Sequence, residues 1–211
     1  MKKTLLRLFQ LLVILSLFFA VGCKKEKDEE QEEVGVKING VVWATRNVDK
    51  PGTFTAKPED AGMFYQWNRK IGWSSSDPLK NHEGGTVWDN SIPEGDSWEK
   101  VNDPCPPGWR VPTYEEQASL VAAGSEWTTL KGVNGRYFGS GENTVFFPAV
   151  GGRHNSEGSL YFVGSIGYYL SGTPYSGYNT YVCYMHFDSE YASTYYANRS
   201  VGFSVRCVKE E

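Results

Sequence analysis

The chain has 211 residues, of which 40% are hydrophobic and 15% aromatic, and it carries a formal net charge of -4 at pH 7. A basic N-terminal segment and the acidic run after it cancel, so the chain from residue 34 onward also carries about -4. This balance offers no basic surface for nucleic acid, and the length suits one domain with a sizeable core.

Residues 1–23 combine a basic start with an apolar run over 11–21 and end in Gly22-Cys23. A membrane-spanning helix needs about 20 apolar residues, so this shorter run indicates a secretory signal peptide. Small residues before a cysteine resemble a bacterial lipobox, which predicts that Cys23 is acylated and becomes the mature N-terminus. The alternative is an ordinary signal peptide with a chance cysteine. Lipidation would anchor the protein to the outer membrane without spanning it.

Residues 24–33 contain three lysines and six acidic residues. Such a run cannot bury apolar surface, which predicts a flexible, solvated tether between the lipid and a domain over residues 34–211. An acidic stretch directly after the lipidated cysteine also resembles the surface-export signal of lipoproteins in some Gram-negative lineages. We therefore expect the domain to face the cell exterior.

The first half of the domain shows one clear hairpin. Residues 34–48 alternate around Asn39 and Gly40, which is a hairpin signal. Residues 58–70 fit a short helix or a strand equally well. Residues 71–100 are rich in Gly, Ser and Asp and predict a long loop. The tryptophans expected to anchor this loop are Trp73, Trp88 and Trp98.

The clearest helix lies over residues 112–124. Thr113 and Glu116 form a capping box, and Gly124 is a typical stop. Short strands and turns follow to residue 208. The segments that we expect to form the main strands are 143–152, 159–172, 180–189 and 201–208.

If Cys23 is lipidated, three cysteines remain that could form a disulfide in an oxidising compartment. Pairing Cys105 with Cys207 closes a loop of about 100 residues and would stabilise the domain by ~4–5 kcal/mol, leaving Cys183 over. The rival pairing of Cys183 with Cys207 would join two late strands.

Four segments carry a resemblance to a known family: "VNDPCPPGWRVPTYEEQ", "NRSVGFSVRCV", "INGVVWATRNV" and "AGMFYQW". Together they resemble the Fibrobacter succinogenes major paralogous domain family over residues 36–208. The resemblance implies a C-type-lectin-like, α+β fold with short mixed strands, one or two helices and long irregular loops. In that fold a disulfide commonly ties the helical region to the last strand, which would suit Cys105 and Cys207. The family is found among secreted and surface proteins.

The resemblance to lectins does not extend to their chemistry. Calcium-dependent sugar binding uses a Glu-Pro-Asn or Gln-Pro-Asp loop with Trp-Asn-Asp, whereas "TVWDNS" at 86–91 has the wrong order. The oxidases that resemble this fold use a nearby cysteine pair, and Cys183 has no such neighbour in sequence. The three histidines, at 82, 154 and 186, lack metal-ligand spacing. We therefore predict no metal, no cofactor and no catalysis.

Tyrosine is concentrated near the C-terminus, with ten of thirteen tyrosines between Tyr161 and Tyr196 and no lysine between Lys131 and Lys209. Tyrosine interspersed with Ser, Gly and Asn is the composition of antibody paratopes. If Phe187 and its alternate neighbours face the core, then alternation turns Val182, Tyr184, His186 and Asp188 outward, and 189–200 forms an exposed loop. The alternative is that β-rich proteins simply place Tyr on half-buried surfaces.

These patterns predict a non-catalytic, surface-anchored lipoprotein that binds a protein or glycan. One alternative is a structural or fimbria-associated subunit with a fixed protein partner, and another is a calcium-independent glycan-binding adhesin. The predicted ligand-binding residues are Tyr175, Tyr178, Asn179, Tyr184, His186, Asp188, Tyr191, Tyr195, Tyr196 and Asn198.

A sharper hypothesis concerns residues 168–199. Proteins of the resembled fold include variable receptors of diversity-generating retroelements, in which adenines of C-terminal codons are rewritten. From AAC or AAT this yields Tyr, Asn, Ser, Asp, Gly, His and Cys, which make up most of the stretch. Met185 and Glu190 would have to be fixed positions. The alternative is that ordinary family members also carry Ser, Asn and Tyr at this end.

Overall fold

The computed structural model describes residues 35–211, and these residues form mainly strands. Strands account for 38% of the structure and helices for 7%, in several small antiparallel sheets. The prediction of an α+β, C-type-lectin-like fold is therefore wrong, because helical periodicity is confined to one nine-residue α-helix and most of the chain after it pairs as hairpins. The predicted signal peptide, Cys23 and the tether at 24–33 lie outside the described residues.

Fourteen strands and one α-helix are defined within residues 35–211. They are β1 (Val36–Ile38), β2 (Val41–Trp43), β3 (Met63–Phe64), β4 (Trp73–Ser74), β5 (Trp109–Arg110), α1 (Tyr114–Ala122), β6 (Ser125–Leu130), β7 (Val133–Ser140), β8 (Asn143–Pro148), β9 (Gly152–Arg153), β10 (Leu160–Tyr161), β11 (Gly167–Pro174), β12 (Tyr181–Phe187), β13 (Ala192–Asn198) and β14 (Val208–Lys209). A short 3-10 helix covers Lys100–Asn102.

The two ends of the domain meet in a four-stranded sheet of order β1-β2-β14-β5. The β1–β2 hairpin turns at Asn39 and Gly40, whose φ angles are 48° and 89°. Positive φ at both central positions is the signature of a type I′ turn, which Asn-Gly adopts readily, so the predicted hairpin is confirmed.

A disulfide joins Cys105, just before β5, to Cys207, just before β14, across a sequence separation of 102 residues. The predicted pairing is confirmed and the rival pairing is wrong, because Cys183 is free and buried. The bond ties the segment leading into the helix to the last strand of the terminal sheet.

Helix α1 begins where the capping box predicted. The Thr113 hydroxyl accepts a hydrogen bond from the Glu116 N–H at 3.2 Å, and the Glu116 carboxylate accepts one from the Thr113 N–H at 2.7 Å. In the middle of the helix, the buried Gln117 side chain donates to the carbonyl oxygens of Tyr169 and Leu170, both at 3.0 Å. The helix is thereby fixed onto β11.

Hairpins follow the helix along most of the remaining chain. Strands β6, β7 and β8 form one antiparallel sheet, with Lys131 and Gly132 at φ 50° and 88° in the first turn. The predicted segments at 143–152 and 180–189 contain β8 and β12, and the segment at 159–172 contains β10 and most of β11. The segment at 125–140 lies in the region predicted to hold short strands and turns, but it was not among the expected main strands, since its polar residues and glycines hide the alternation.

Strands β11, β12 and β13 form a three-stranded sheet that is covered on both faces. Met185 and Phe187 belong to one hydrophobic cluster, while Val182 and Tyr184 belong to the other. The expectation that Val182 and Tyr184 face outward is therefore wrong, because alternation places them against a second core. The predicted exposed loop at 189–200 is also wrong, since most of it forms β13.

The long segment at 71–100 is held down by its tryptophans, as predicted. Trp73 and Trp88 are buried with ring centroids 4.9 Å apart, and Trp98 packs against Trp67 at 6.3 Å. Short strand β4 lies within this segment and pairs with β3, so the ambiguous region at 58–70 contains a strand.

Candidate ligand-binding groove

A groove of about 570 Å³ lies between the first turn of helix α1 and the β12–β13 edge of the three-stranded sheet. Tyr114 and Glu115 form its helix side, and residues 173–176 form a second wall. The Tyr114 N–H donates to the Thr173 hydroxyl at 2.9 Å, which fixes these two walls relative to each other. The residues that complete the lining are Cys183, Thr194, Tyr195 and Tyr196.

Strand register brings the groove residues of β12 and β13 together. Cys183 lies directly opposite Tyr196, and Met185 lies opposite Thr194. Residues paired across an antiparallel ladder share a face, so Cys183, Thr194 and Tyr196 belong to the helix-covered face of the sheet. The groove is thus the uncovered end of that face, beyond the N-terminus of the helix.

Three tyrosines form a stack along the groove. The Tyr175 and Tyr196 rings are 4.1 Å apart at 13°, and the Tyr196 and Tyr195 rings are 4.7 Å apart at 9°. A hydrogen bond with Tyr195 and the nearby Tyr175 hydroxyl raise the pKa of Tyr196, so this phenol is neutral at physiological pH. Tyr178 and Tyr181 continue the aromatic surface, with Tyr178 6.3 Å from Tyr175 and 5.6 Å from Tyr181.

A second aromatic group sits at the other end of β12. The His186 and Tyr191 rings are 5.5 Å apart in an edge-to-face arrangement. Burial lowers the pKa of His186, with Asp188 opposing that shift, so the imidazole is neutral at pH 7. Burial alone would raise the pKa of Asp188, but the N–H donors of Tyr191 and Glu190 outweigh it and lower that pKa.

The predicted ligand-binding residues fall into separate places in the fold. Those that line the groove are Tyr175, Tyr195 and Tyr196. Those exposed on the turn beyond it are Tyr178 and Asn179. Those at the far end of the sheet are His186, Asp188 and Tyr191. The predicted residues therefore do not form one continuous site.

Two predicted residues have evident roles inside the fold. Tyr184 is only 9% exposed and packs against Tyr168 and Phe203, with ring centroids 5.9 and 5.1 Å away. The Asn198 side chain accepts hydrogen bonds from the Ser200 N–H and hydroxyl, at 2.9 and 2.8 Å, and shapes the turn after β13. The outward placement of Tyr184 is corrected, because the second core occupies that side of β12.

Sequence reasoning missed half of the groove. Tyr114, Glu115 and Thr173 were not singled out, and neither was Thr194. The helix side lies about sixty residues from the tyrosine-rich segment, and only tertiary packing brings them together. One local signal was present: Tyr114 is an exposed aromatic residue in the first turn of the helix, next to the exposed Glu115.

The groove lining contains one carboxylate, that of Glu115. Burial raises the pKa of the Cys183 thiol, and the nearby Glu115 carboxylate raises it further, so the thiol is protonated at neutral pH. No lysine, arginine or histidine is among the lining residues. Between Lys131 and Lys209 the chain has no lysine and four arginines, all at most 6% exposed: Arg136, Arg153, Arg199 and Arg206.

Neither a metal cluster nor a membrane span is found in the part of the chain that the structure describes. Across residues 35–211, no three His, Cys, Asp or Glu side chains are placed to hold a metal ion. Over the same residues, no helix has the length and hydropathy needed to cross a bilayer.

Comparison with known families gives one match. Residues 117–208 match the model of a family described as a domain of unknown function, DUF8237. The match includes β11, β12 and β13 and hence the tyrosine stack, while Tyr114, Glu115 and Cys105 lie before it. No curated protein and no solved structure matches the chain.

Proposed function

We propose that this protein is a non-catalytic, surface-exposed lipoprotein that binds a protein ligand in its tyrosine groove. The observation that carries the proposal is the stack of Tyr175, Tyr196 and Tyr195 along the groove. Stacked tyrosines offer large, rigid, amphipathic contact area that loses little conformational entropy on binding. The groove volume of about 570 Å³ also falls in the range typical of ligand sites.

The chemistry of the lining favours binding over catalysis. Its titratable groups are tyrosines, the protonated Cys183 thiol and the exposed Glu115 carboxylate, and burial keeps the thiol from acting as a nucleophile. His186, which is neutral and would be the natural base, is outside the groove lining. A glycan ligand is the alternative, since aromatic faces also pack against sugar rings.

The test is a binding screen of the full-length protein in detergent against a glycan microarray and a displayed peptide library. Replacing Tyr175, Tyr195 and Tyr196 together with Ala should weaken binding about a thousandfold or more, since aromatic anchors often contribute ~2 kcal/mol each. The matched control is Tyr137→Ala, which truncates a half-buried tyrosine on the β6-β7-β8 sheet. Ligands bound equally well by the triple variant would contradict the proposal.

The position of Met185 favours a variable-receptor form of this proposal. The diversification hypothesis requires Met185 to be fixed, and its side chain is fully buried in a core cluster. Tyr175, Ser176 and Tyr196, which rewriting would reach, line the groove instead. A reverse transcriptase gene beside this one, with a near-copy of its 3′ end, is the expected finding. Identical groove codons in many strains without such a gene would contradict it.

A further inference from the structure

Strand β13 has one edge without a partner among residues 35–211. The sheet order is β11-β12-β13, and β13 pairs only with β12. The Asp188 N–H donates to the Tyr191 carbonyl at 3.0 Å and the Arg199 N–H to the Thr180 carbonyl at 2.9 Å, both in the register that pairs Tyr184 with Tyr195. Hydrogen-bonded pairs alternate along an antiparallel ladder, so the register between these two bonds is fully defined.

That register identifies the backbone groups on the open edge. Ser193, Tyr195 and Ala197 direct their N–H and C=O groups toward β12. The intervening Thr194 and Tyr196 direct theirs away from it, as does Ala192 at the start of the strand. Within the described chain these outward groups make no backbone–backbone hydrogen bond, and the Thr194 carbonyl accepts a long one, 3.4 Å, from the hydroxyl of its neighbour Ser193.

The sequence of β13, "ASTYYAN", does nothing to block this edge. It contains no charge, proline or glycine over seven residues. Proteins usually protect exposed edges with lysine, proline, bulges or very short strands, because an open edge is a template for another strand. The edge is therefore suited to a strand from a partner.

A strand added here would lie beside the groove. It would run ~4.8 Å beyond β13, and its alternate side chains would fall on the face that carries Thr194 and Tyr196. There they meet the tyrosine stack and Glu115, whose carboxylate makes no ion pair within residues 35–211. Because all four arginines of the C-terminal half are buried, the surroundings carry no competing exposed Lys or Arg from residues 132–208.

We propose that β13 accepts an extended segment of a partner protein as a fourth strand, and that a lysine or arginine of that segment enters the tyrosine groove beside Glu115. This inference rests on the proposed function and names its ligand class. Main-chain hydrogen bonds hold the added strand in register, and the groove selects the side chain. Aromatic rings attract a cation through their faces, and the carboxylate adds its charge.

The first arm of the test uses a displayed library of random nonapeptides against the full-length protein in detergent. Selected peptides should be enriched in Lys or Arg, and N-methylation at alternate residues should weaken binding about tenfold, as loss of hydrogen bonds requires. Binding should protect the Thr194 and Tyr196 amides from hydrogen exchange, and Glu115→Gln should weaken it about two- to fivefold. If the selected peptides lack basic residues, or if N-methylation does not weaken their binding, the proposal is overturned.

The second arm compares Thr194→Pro with Thr194→Val. The N–H that proline removes here points away from the sheet, and proline also fixes φ, which edge strands tolerate at such a position. Valine keeps the N–H and the side-chain shape. Peptide binding should be lost with proline and retained with valine. If the proline variant does not fold, N-methylated peptides and hydrogen exchange decide. If a glycan binds in a manner that depends on Tyr175 and Tyr196 and no peptide binds, the added-strand inference is overturned and the groove remains the proposed binding site. If neither glycan nor peptide binding depends on these tyrosines, both the inference and the proposed function are overturned.

Discussion

The side chain of Gln117 donates a hydrogen bond to the carbonyl oxygen of Tyr169 at 3.0 Å, which links helix α1 to the sheet that carries the groove. The same amide donates to Leu170, and Gln117 is 1% exposed. Gln117→Met keeps the volume but removes both bonds, so we expect the free energy of unfolding to fall by about 1–3 kcal/mol in urea titrations. Glu115→Gln, on the exposed side of the helix, should change it by less than about 0.5 kcal/mol. Equal stability of the two variants would contradict a structural role for Gln117.

The disulfide should supply a large share of the stability. Replacing Cys105 and Cys207 together with Ala should lower the free energy of unfolding by about 4–5 kcal/mol on the chain-entropy account. Cys183→Ala is the matched control and should cost much less, because its thiol is unpaired. Peptide mapping without reduction should find Cys105 joined to Cys207. A double variant that unfolds at the wild-type urea concentration would contradict this.

Tyr184 and Tyr191 should respond in opposite ways to truncation. Tyr184 is 9% exposed in a core cluster, so Tyr184→Ala should cost about 3–5 kcal/mol and lower the melting temperature sharply. Tyr191 is 52% exposed, so Tyr191→Ala should leave melting nearly unchanged. Differential scanning fluorimetry separates the two. A normal melting temperature for the Tyr184 variant would show that this side of β12 is not packed.

Stability should decrease as the pH falls through the range where histidine titrates. Burial lowers the pKa of His186 below its ordinary value, so the unfolded chain binds the proton more readily than the folded one. The contribution of neutral His186 to the free energy of unfolding is therefore at its full value above the pKa of the unfolded chain, ~6.5, and decreases as the pH falls below it. His186→Asn should flatten the stability profile between about pH 7.5 and about pH 5.5. An unchanged profile would assign the decline to other groups.

The anchoring prediction concerns Cys23. Cys23→Ser should move the protein from the membrane fraction to the soluble fraction, because acylation requires the thiol. Protease treatment of intact cells tests orientation separately, and we expect degradation of the wild-type domain. A serine variant that stays with membranes after an alkaline wash would contradict lipidation at this position.

Local signals predicted the local structure well. The Asn39-Gly40 turn and the Thr113–Glu116 capping box each depend on residues close together in sequence, and both are present. The Cys105–Cys207 bond was also predicted, with help from the family resemblance. In these cases the physical cause lies within a few residues or in the chemistry of paired cysteines.

The failures share a long-range cause. Tyr184 was placed outward because alternation shows which residues share a face but does not reveal whether a second core covers the other face. The groove was half predicted, because Glu115 and Tyr196 are brought together by packing of the helix on the sheet. The fold class was wrong because it was taken from the family resemblance, while the sequence pattern of hairpins such as β6–β7 was too weak to argue against it.

The central place of β14 in the terminal sheet has a consequence for biosynthesis. This strand, at Val208–Lys209, lies between β2 and β5, which come from much earlier in the chain. During synthesis, β2 therefore cannot pair with β14 until nearly all of the following residues have been added to the chain. A ribosome that stalls before residue 207 leaves a polypeptide whose β2 and β5 cannot be bridged by β14 and whose Cys105 has no native partner. Such incomplete products should be open to proteases, whereas finished chains close the sheet and the disulfide together.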